Sequence, residues 1–302
     1  MVKNEQSAFS DFSKFPIIER SLWDKWVDNT AIQSVLISRG CPNSCSFCAN
    51  HVLRRKNSGQ YVEFRNVDDI MKEIITIRKK YPEVHTVFLE TETFSIDLKY
   101  TYRLLDKLKK YNGKLKNKLK VYTNLLFNNS VKNDMKNFAV KLKEANLVQI
   151  CMGLESGSQR IRKDILHRPH YTNDDFITFC RYMQKQGVFV ALNVMVGLPT
   201  ETAEDLDMTI AVVDEISPAI VMPTIFTSYP GTDIYDLMLK NKIIKNSKFI
   251  TGWDERRKAR LGSDKMTKKV IQEKFQYLLD KYENVDKRRI QTAKLLRANK
   301  NN

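Results

Sequence analysis

The sequence of 302 residues is poor in glycine and proline, with ten and eight residues respectively. This scarcity excludes a collagen-like chain and a Gly/Pro-rich low-complexity chain, since both need much higher contents. No apolar run approaches the roughly 20 residues that a membrane-spanning helix needs. The first residues, MVKNEQSAFSDFSKF, also lack the apolar core of a secretion signal. We therefore predict a cytoplasmic protein.

Acidic residues are the minority charge: 35 Asp and Glu face 51 Lys and Arg, which gives a net charge of +16. Hydrophobic residues at 42% and charged residues at 28% are ordinary for a globular chain and exclude wholesale disorder. Such a charge would attract RNA, an anionic substrate or an acidic electron donor such as flavodoxin or ferredoxin. The basic excess lies mainly in residues 99–120 and 254–302, where solvated lysine-rich helix faces are the alternative interpretation.

Apolar runs alternate regularly with helical segments. Runs rich in Val, Ile, Leu and Phe predict strands buried on both faces, as in a parallel sheet, at 33–38, 84–90, 119–124, 147–154, 188–196 and 220–227. Helices are predicted over 67–81, 97–111, 131–145, 172–186, 202–216 and 231–241, with Asn66, Thr172 and Thr202 as caps. Six such units predict an α/β fold, either an open partial barrel or a doubly wound sheet.

The pattern divides the chain into three parts. Residues 1–32 form an irregular lead-in with a short helix, residues 33–245 form the α/β core, and residues 246–302 form a basic extension that is helical from about 267. The last stretch, 285–302, is polar and basic, so we expect it to fray.

Cysteine is scarce as well, with five residues, but Cys41, Cys45 and Cys48 crowd into one C-x3-C-x2-C loop. The odd number and the close spacing are wrong for a secreted disulfide framework and indicate metal binding in a reducing compartment. The loop follows the first predicted strand, at the strand end where parallel α/β folds bind ligands. Cys151 and Cys180 have no such spacing, and we interpret them as small apolar residues.

The three thiolates leave two interpretations open. On a four-iron cluster they would leave one iron without a protein ligand and therefore able to bind a substrate or cofactor. Alternatively, His51 follows Cys48 by three residues, and Cys41, Cys45, Cys48 and His51 could form a Cys3His zinc site. With the positive charge, the second interpretation would describe a zinc-stabilised nucleic-acid-binding protein.

Further motifs follow the loop in a fixed order. With Phe47 just before the last cysteine, the loop resembles the signature of the radical S-adenosylmethionine enzymes. Residues 153–157 (GLESG) are similar to that family's ribose motif after the fourth strand. Residues 193–202 (NVMVGLPTET) resemble the fifth-strand motif, and residues 229–232 (YPGT) resemble the turn after the sixth strand. The resemblance covers residues 30–245.

The sequence segments around these motifs are most similar to the catalytic domain of cobalamin-binding radical S-adenosylmethionine enzymes. Those enzymes carry a cobalamin domain before the catalytic one, whereas about 30 residues precede the first predicted strand here. We therefore expect no cobalamin domain in this sequence, and cobalamin would be used only if another chain supplied it.

The resemblance implies a partial (β/α)6 TIM-like barrel with a mostly helical C-terminal extension. It implies an oxygen-sensitive 4Fe-4S cluster on Cys41, Cys45 and Cys48, with S-adenosylmethionine chelated by the open iron. Reductive cleavage would give a deoxyadenosyl radical that abstracts hydrogen from an unidentified small or peptidic substrate. An RNA-modifying radical enzyme is the alternative within this class.

The resemblance also implies cofactor contacts from the loop and the second and third strands. Phe47 would lie near the adenine. Glu90 or Glu92, at the end of the second strand, would accept the methionyl ammonium. Asn124, at the end of the third strand, would bond the ribose or the substrate.

Further contacts are implied after the fourth and fifth strands. Glu155 and Ser156 would hold the ribose hydroxyls or the methionyl end, and Arg168 could pair with the methionyl carboxylate. The adenine pocket would be lined by Asn193, Gly197 and Leu198. No catalytic side chain is assigned.

Overall fold

The structure is a computed structural model that describes residues 8–244, 256–263 and 265–282. It divides into two compact units. Unit 1 contains residues 8–42, Asn50–Cys151 and Tyr182–Phe189. Unit 2 contains Asn43–Ala49, Met152–Arg181 and the described residues from Val190 onward.

The strands form one large sheet and one small one. Their bounds are β1 Ile32–Leu36, β2 Ser38–Arg39, β3 Glu63–Phe64, β4 Thr86–Glu90, β5 Lys120–Leu125, β6 Leu147–Glu155, β7 Phe189–Val196 and β8 Ile220–Ile225. The large, parallel sheet has the order β1-β4-β5-β6-β7-β8. Strands β2 and β3 pair antiparallel in the small sheet. Because the large sheet follows chain order, each strand is joined to its neighbour by a crossover connection, as the alternating pattern predicts.

Helices fill most of the connections. Their bounds are α1 Ala49–Lys56, α2 Val67–Lys80, α3 Leu98–Asn112, α4 Asn129–Asn133, α5 Met135–Glu144, α6 Asn173–Lys185, α7 Ala203–Ile216, α8 Asp233–Lys240 and α9 Lys268–Tyr282. Short 3-10 turns lie at Phe12–Lys14 and Arg20–Trp23, and a π-helical turn lies at Ile161–Ile165. No helix in the described part of the chain is long and apolar enough to cross a membrane.

The predicted caps form as expected. The Asn66 side chain accepts from the Asp68 amide at 2.8 Å, and the Thr172 hydroxyl accepts from the Asp175 amide at 3.1 Å. Thr202 shares a reciprocal capping box with Asp205. Each cap satisfies an N-terminal amide that has no partner within its helix.

The core of unit 1 lies between the sheet and its helices. Strand β4 buries Val87 and Leu89, while α2 and α3 bury apolar faces that include Ile74 and Leu104. Burial of each such side chain stabilises the fold by about 1.5–3 kcal/mol. The lead-in is tied to this unit by Arg20, whose Nη2 lies 2.7 Å from Glu73 Oε1.

The core of unit 2 surrounds β7, which is buried along nearly all its length. Helix α9 packs on β8 at the edge of the large sheet. A buried apolar cluster brings together the π-helical turn, β7 and α8; its members are Ile161, Leu166, Met195, Leu198, Phe226, Ile234 and Met238.

Three local features differ from the sequence prediction. Strand β1 is not buried on both faces, because it is an edge strand whose Ile32 and Leu36 are 54% and 39% exposed. The helix predicted over 131–145 is two helices, α4 and α5, which meet at Asp134. Helix α1 and the β2–β3 pair are too short to produce a periodic signal, so they were not predicted. The stretch expected to fray, 285–302, lies outside the described residues.

Candidate cofactor site

The turn into the cysteine loop is built in unit 1. Gly40 has φ +85°, and a Cβ there would lie 2.3 Å from the Tyr61 carbonyl oxygen. Glycine avoids both the backbone strain and this clash, as the sequence led us to expect. The Gly40 amide donates to Glu92 Oε2 at 3.0 Å, so the exposed Glu92 carboxylate holds the backbone immediately before Cys41.

The later part of the loop is anchored in unit 2 through Ser46, which is 2% exposed. The Ser46 amide donates to the Leu166 carbonyl at 3.0 Å, and its hydroxyl donates to the Ile165 carbonyl. Its own carbonyl accepts from the Ile234 amide at 3.0 Å. The loop is therefore fixed to the π-helical turn and to α8, and π-helical turns are frequent at functional sites.

None of the three loop cysteines forms a disulfide; Cys45 is buried and Cys41 and Cys48 are partly exposed. Within the described residues, no three Cys, His, Asp or Glu side chains are placed to hold one metal ion. A Cys3His zinc site would need four donors on one ion, whereas the cysteines of a four-iron cluster bind different irons. The zinc alternative therefore gains no support from the geometry.

The other two cysteines differ in burial. Cys180 is fully buried in α6, and burial raises the pKa of its thiol, so it stays neutral. This supports the apolar role predicted for it. Cys151 is partly buried in β6.

The end of β4 in unit 1 carries the predicted acidic residues. Burial, and then the charge of Glu92, raise the pKa of the partly buried Glu90. Asn124 lies at the end of β5, and its amide donates to the Thr91 carbonyl at 3.3 Å. The side-chain nitrogen of Asn124 is therefore already hydrogen-bonded to the backbone.

Strand β6 ends in a tight turn in unit 2. Glu155 has φ +62°, a left-handed conformation that is strained for a residue with a side chain. The Ser156 amide donates to the Leu154 carbonyl at 2.8 Å, which closes the turn. Strain of this kind persists only where the surrounding structure imposes it, and it is concentrated at functional sites.

Glu155 and Arg168 form a buried pair beside Gly153. Arg168 Nη2 donates to the Gly153 carbonyl at 2.5 Å, and Arg168 Nη1 lies 3.8 Å from Glu155 Oε1. Burial raises the pKa of Glu155, and Arg168 opposes this. Burial disfavours the Arg168 charge, but Tyr171, Glu155 and Cys45 outweigh it and raise the pKa of Arg168, which stays protonated. A guanidinium with an acidic neighbour is thus held at the cysteine loop.

A cavity of about 470 Å³ opens in unit 2. It brings together four residues that the sequence predicted: Phe47, Cys48, Glu155 and Asn193. The remaining lining is Ala49, Met195, Thr224, Ile225, Phe226, Thr227, Tyr229 and Arg256. An apolar and aromatic pocket with a few polar groups is typical of small-molecule sites.

Five predicted residues of unit 2 do not line this cavity: Cys45, Ser156, Arg168, Gly197 and Leu198. Ser156 is fully buried, lies 3.3 Å from the Thr209 hydroxyl oxygen and accepts from the Ser158 amide at 3.2 Å. Gly197 and Leu198 line a separate cavity of about 30 Å³ instead.

Sequence reasoning assigned no role to Glu201, although the residue lies inside the fifth-strand motif. Its Oε2 accepts from the Gly197 and Leu198 amides at 2.7 and 3.0 Å. It is 1% exposed, and burial raises its pKa to about 8. Tyr229 lies in the recognised YPGT turn, whereas nothing in the sequence singled out Arg256 as a cavity residue.

Solved structures with the same fold include TsrM, a radical S-adenosylmethionine methyltransferase from Kitasatospora setae with cobalamin and a [4Fe-4S] cluster bound. It matches with a TM-score of 0.61 and 14% identity over 81% of this chain and 46% of that one. Coproporphyrinogen III oxidase from Escherichia coli, a radical SAM enzyme, matches with a TM-score of 0.54 and 14% identity over 83% and 52%. These likenesses confirm the predicted partial-barrel α/β fold.

Curated relatives include an uncharacterized methyltransferase of Pyrococcus horikoshii, 25% identical over 80% of this chain and 51% of the relative. A tRNA-2-methylthio-N(6)-dimethylallyladenosine synthase of Clostridium tetani is 24% identical over 67% and 44%. A ribosomal protein uS12 methylthiotransferase of Thermosipho melanesiensis is 27% identical over 63% and 43%. The chain spans about half the length of these relatives.

The sequence profile of the radical SAM superfamily matches residues 35–213, more than half of the chain. The match begins just before the cysteine loop and extends into α7, so it includes the loop, the GLESG motif and the fifth-strand motif. The match favours an iron–sulfur enzyme over a zinc-stabilised nucleic-acid-binding protein. This chain belongs to the radical SAM superfamily of enzymes.

Proposed function

We propose that this chain holds a 4Fe-4S cluster on Cys41, Cys45 and Cys48 and cleaves S-adenosylmethionine reductively to start a radical reaction on a bound substrate. The observation that carries the proposal is the cavity of about 470 Å³ where Cys48 meets Phe47 and Glu155. A cysteine of the loop, an aromatic surface and the carboxyl group of Glu155 then line one cavity.

The side chains present fit these two cofactors. Thiolates are the ligands that iron–sulfur clusters use. The Glu155–Arg168 pair offers both charges to the zwitterionic methionyl end, and Phe47 offers an apolar surface to the adenine. A Cβ on Gly153 would lie 2.1 Å from Glu155 Oε1, so the glycine leaves room for this carboxylate.

When bound, the reduced cluster supplies the electron that breaks the sulfonium C–S bond, giving methionine and a deoxyadenosyl radical that takes hydrogen from the substrate. The chain positions and shields these groups. Glu155 and Arg168 orient the methionyl end, while Phe47 and Asn193 enclose the nucleoside. We propose Glu90 as acceptor for the ammonium, because one oxygen of Glu92 already accepts from Gly40.

The substrate proposal has two forms. The first is a small or peptidic substrate, with cobalamin used only if another chain supplies it. The second is RNA, which is supported by relatives named as tRNA methylthiotransferases. The electron would come from an acidic donor such as flavodoxin or ferredoxin, attracted by the net charge of +16. None of the five cysteines forms a disulfide, which suits the reducing cytoplasm.

Anaerobic reconstitution tests the proposal. We expect brown protein with iron and sulfide, and deoxyadenosine after reduction with dithionite in the presence of S-adenosylmethionine. Cys45→Ala should lose the cluster and form no deoxyadenosine. Cys180→Ala is the matched control, because that thiol is buried in α6, and it should retain both. An intact cluster in the wild-type protein without deoxyadenosine would contradict the proposal.

A further inference from the structure

A short cationic segment is fixed beside the cavity. Residues 256–260 read Arg-Arg-Lys-Ala-Arg, and we call them the basic strap. The Ile225 amide of β8 donates to the Arg256 carbonyl at 2.8 Å. Gln272 of α9 donates to the Arg257 carbonyl at 3.1 Å and accepts from the Ala259 amide at 3.0 Å. The strap backbone is therefore held in place on unit 2, unlike a freely solvated run of charges.

The first side chain of the strap reaches the cavity. Arg256 lines it, and its Nε donates to the Tyr229 hydroxyl oxygen at 3.2 Å. The guanidinium carbon lies 5.7 Å from the centroid of the Tyr229 ring, within cation–π range. These contacts orient the guanidinium, and its remaining N–H groups are suited to an anionic group of a ligand.

Two lysines of the other basic region are paired with carboxylates. On α3, Lys107 pairs with Asp68 at 2.8 Å and Lys109 pairs with Glu144 at 2.9 Å. Among the residues the structure describes, no carboxylate lies within ion-pair distance of Arg256 or Lys258, and both are exposed. Arg256 and Lys258 are therefore the exposed cations of the strap on which an outside partner could act.

We propose that the basic strap binds the phosphate backbone of an RNA substrate, with Arg256 on the phosphate nearest the nucleotide that enters the cavity. This rests on the proposed function, because the nucleotide would meet the radical chemistry there. Neighbouring cations suit a polyanion better than a single carboxylate. Phe226 and Tyr229 line the same cavity apart from the surface that Phe47 offers to the adenine, and aromatic rings accept a base drawn from a single strand.

Fluorescence anisotropy of the reconstituted enzyme with a labelled single-stranded RNA of about 20 nucleotides tests this inference over a series of salt concentrations. The salt slope is the slope of the logarithm of the binding constant against the logarithm of the salt concentration. Each lost phosphate contact weakens binding and lowers the magnitude of this slope by about one. The double variant Arg256→Ala/Lys258→Ala should therefore bind about tenfold or more weakly, with the slope reduced by about two. Arg256→Ala alone should lower the slope by about one, and Arg256→Lys should weaken binding less.

The matched control is Lys110→Ala/Lys114→Ala, which removes the same charge at the end of α3. We expect a change in affinity of less than about twofold, since long-range charge is screened by salt. Equal weakening by both double variants would show non-specific attraction and overturn the proposal. Absence of RNA binding, or equally tight binding of a polyglutamate of the same length, would overturn it as well.

Deoxyadenosine formation by the wild-type protein without RNA is measured in parallel. If deoxyadenosine forms but the strap variants bind RNA normally, this inference fails and the proposed function stands. If no deoxyadenosine forms, the proposed function fails whatever the RNA result.

Discussion

At the end of β6, a glycine lies against two ionisable side chains. Gly153, Glu155 and Arg168 are mutually constrained: a Cβ on Gly153 would lie 2.1 Å from Glu155 Oε1 and 3.2 Å from Arg168 Nη2. Any side chain at position 153 must displace the carboxylate or the guanidinium. The glycine is required by this close approach.

We expect Gly153→Ala to weaken S-adenosylmethionine binding by about tenfold, the loss of one charge-assisted interaction. Cluster content should stay unchanged, because the substitution lies outside the cysteine loop. Isothermal titration of the reconstituted protein measures the affinity, and iron analysis measures the cluster. Gly113→Ala is the control, since φ is −62° there and the nearest atom to a new Cβ would be 3.5 Å away. Equal affinity in both variants would contradict the assignment.

The neighbouring pair Glu155 and Ser156 shows the limit of sequence reasoning at single residues. Glu155 is the last residue of β6 and Ser156 follows it; both were predicted as ligands, but only Glu155 lines the cavity. The left-handed φ of Glu155 turns the chain, and Ser156 is buried against Thr209 of α7. That conformation is imposed by packing with a distant helix, and no local propensity indicates it.

The turn from β7 into α7 contains a buried acid. Glu201 accepts from two amides, but burial dominates and raises its pKa from 4.5 to about 8, with Asp205 adding to the rise and Arg160 opposing it. The folded state therefore holds a proton that the unfolded chain releases above about pH 4.5. The stability that this group contributes is complete below about pH 4.5 and is lost as the pH rises to about 8.

We expect Glu201→Gln to remove this dependence, because an amide keeps an acceptor for Gly197 and Leu198 and cannot ionise. The difference in free energy of unfolding, variant minus wild type, should become more positive between pH 5 and pH 8.5. Urea unfolding across that range measures it. A difference that is constant or falls with pH would contradict the raised pKa.

The junction between β4 and the cysteine loop depends on one hydrogen bond, from the Gly40 amide to Glu92. Glu92→Ala should leave that amide without its acceptor and lower the iron retained after reconstitution. Glu92→Gln keeps an acceptor and should retain wild-type iron. Iron and sulfide analysis of the two variants decides this, and equal loss in both would indicate instead that the negative charge of Glu92 is needed.

Helices and strands were predicted more fully than the site. The six long strands and the caps at Asn66, Thr172 and Thr202 are confirmed, because apolar strand runs and cap residues both depend on the local sequence. Arg256 was not predicted as a cavity residue, since its place depends on a hydrogen bond with β8, distant in the chain. The acceptor role of Glu201 depends on how the turn closes, which the sequence pattern does not reveal.

At the scale of the whole chain, the ordered series of motifs identified the family more securely than any element did. The profile match over 35–213 confirms it. Net charge was less informative, because it sums regions that behave differently. Lysines of α3 are paired with acidic neighbours, while the strap presents Arg256 and Lys258 to solvent. Only the structure distinguishes the paired lysines of α3 from the exposed cations of the strap.

Ser46 is bonded through its amide, hydroxyl and carbonyl to the π-helical turn and α8, and none of these bonds requires iron. Chelation of the cluster should therefore leave the near-ultraviolet circular dichroism and the cooperativity of thermal unfolding largely intact, unlike a zinc finger, which unfolds without its metal. Broad, non-cooperative melting after chelation would contradict this. A loop that keeps its shape when emptied makes oxidative damage repairable: fresh iron and sulfide can restore the enzyme without the help of a chaperone.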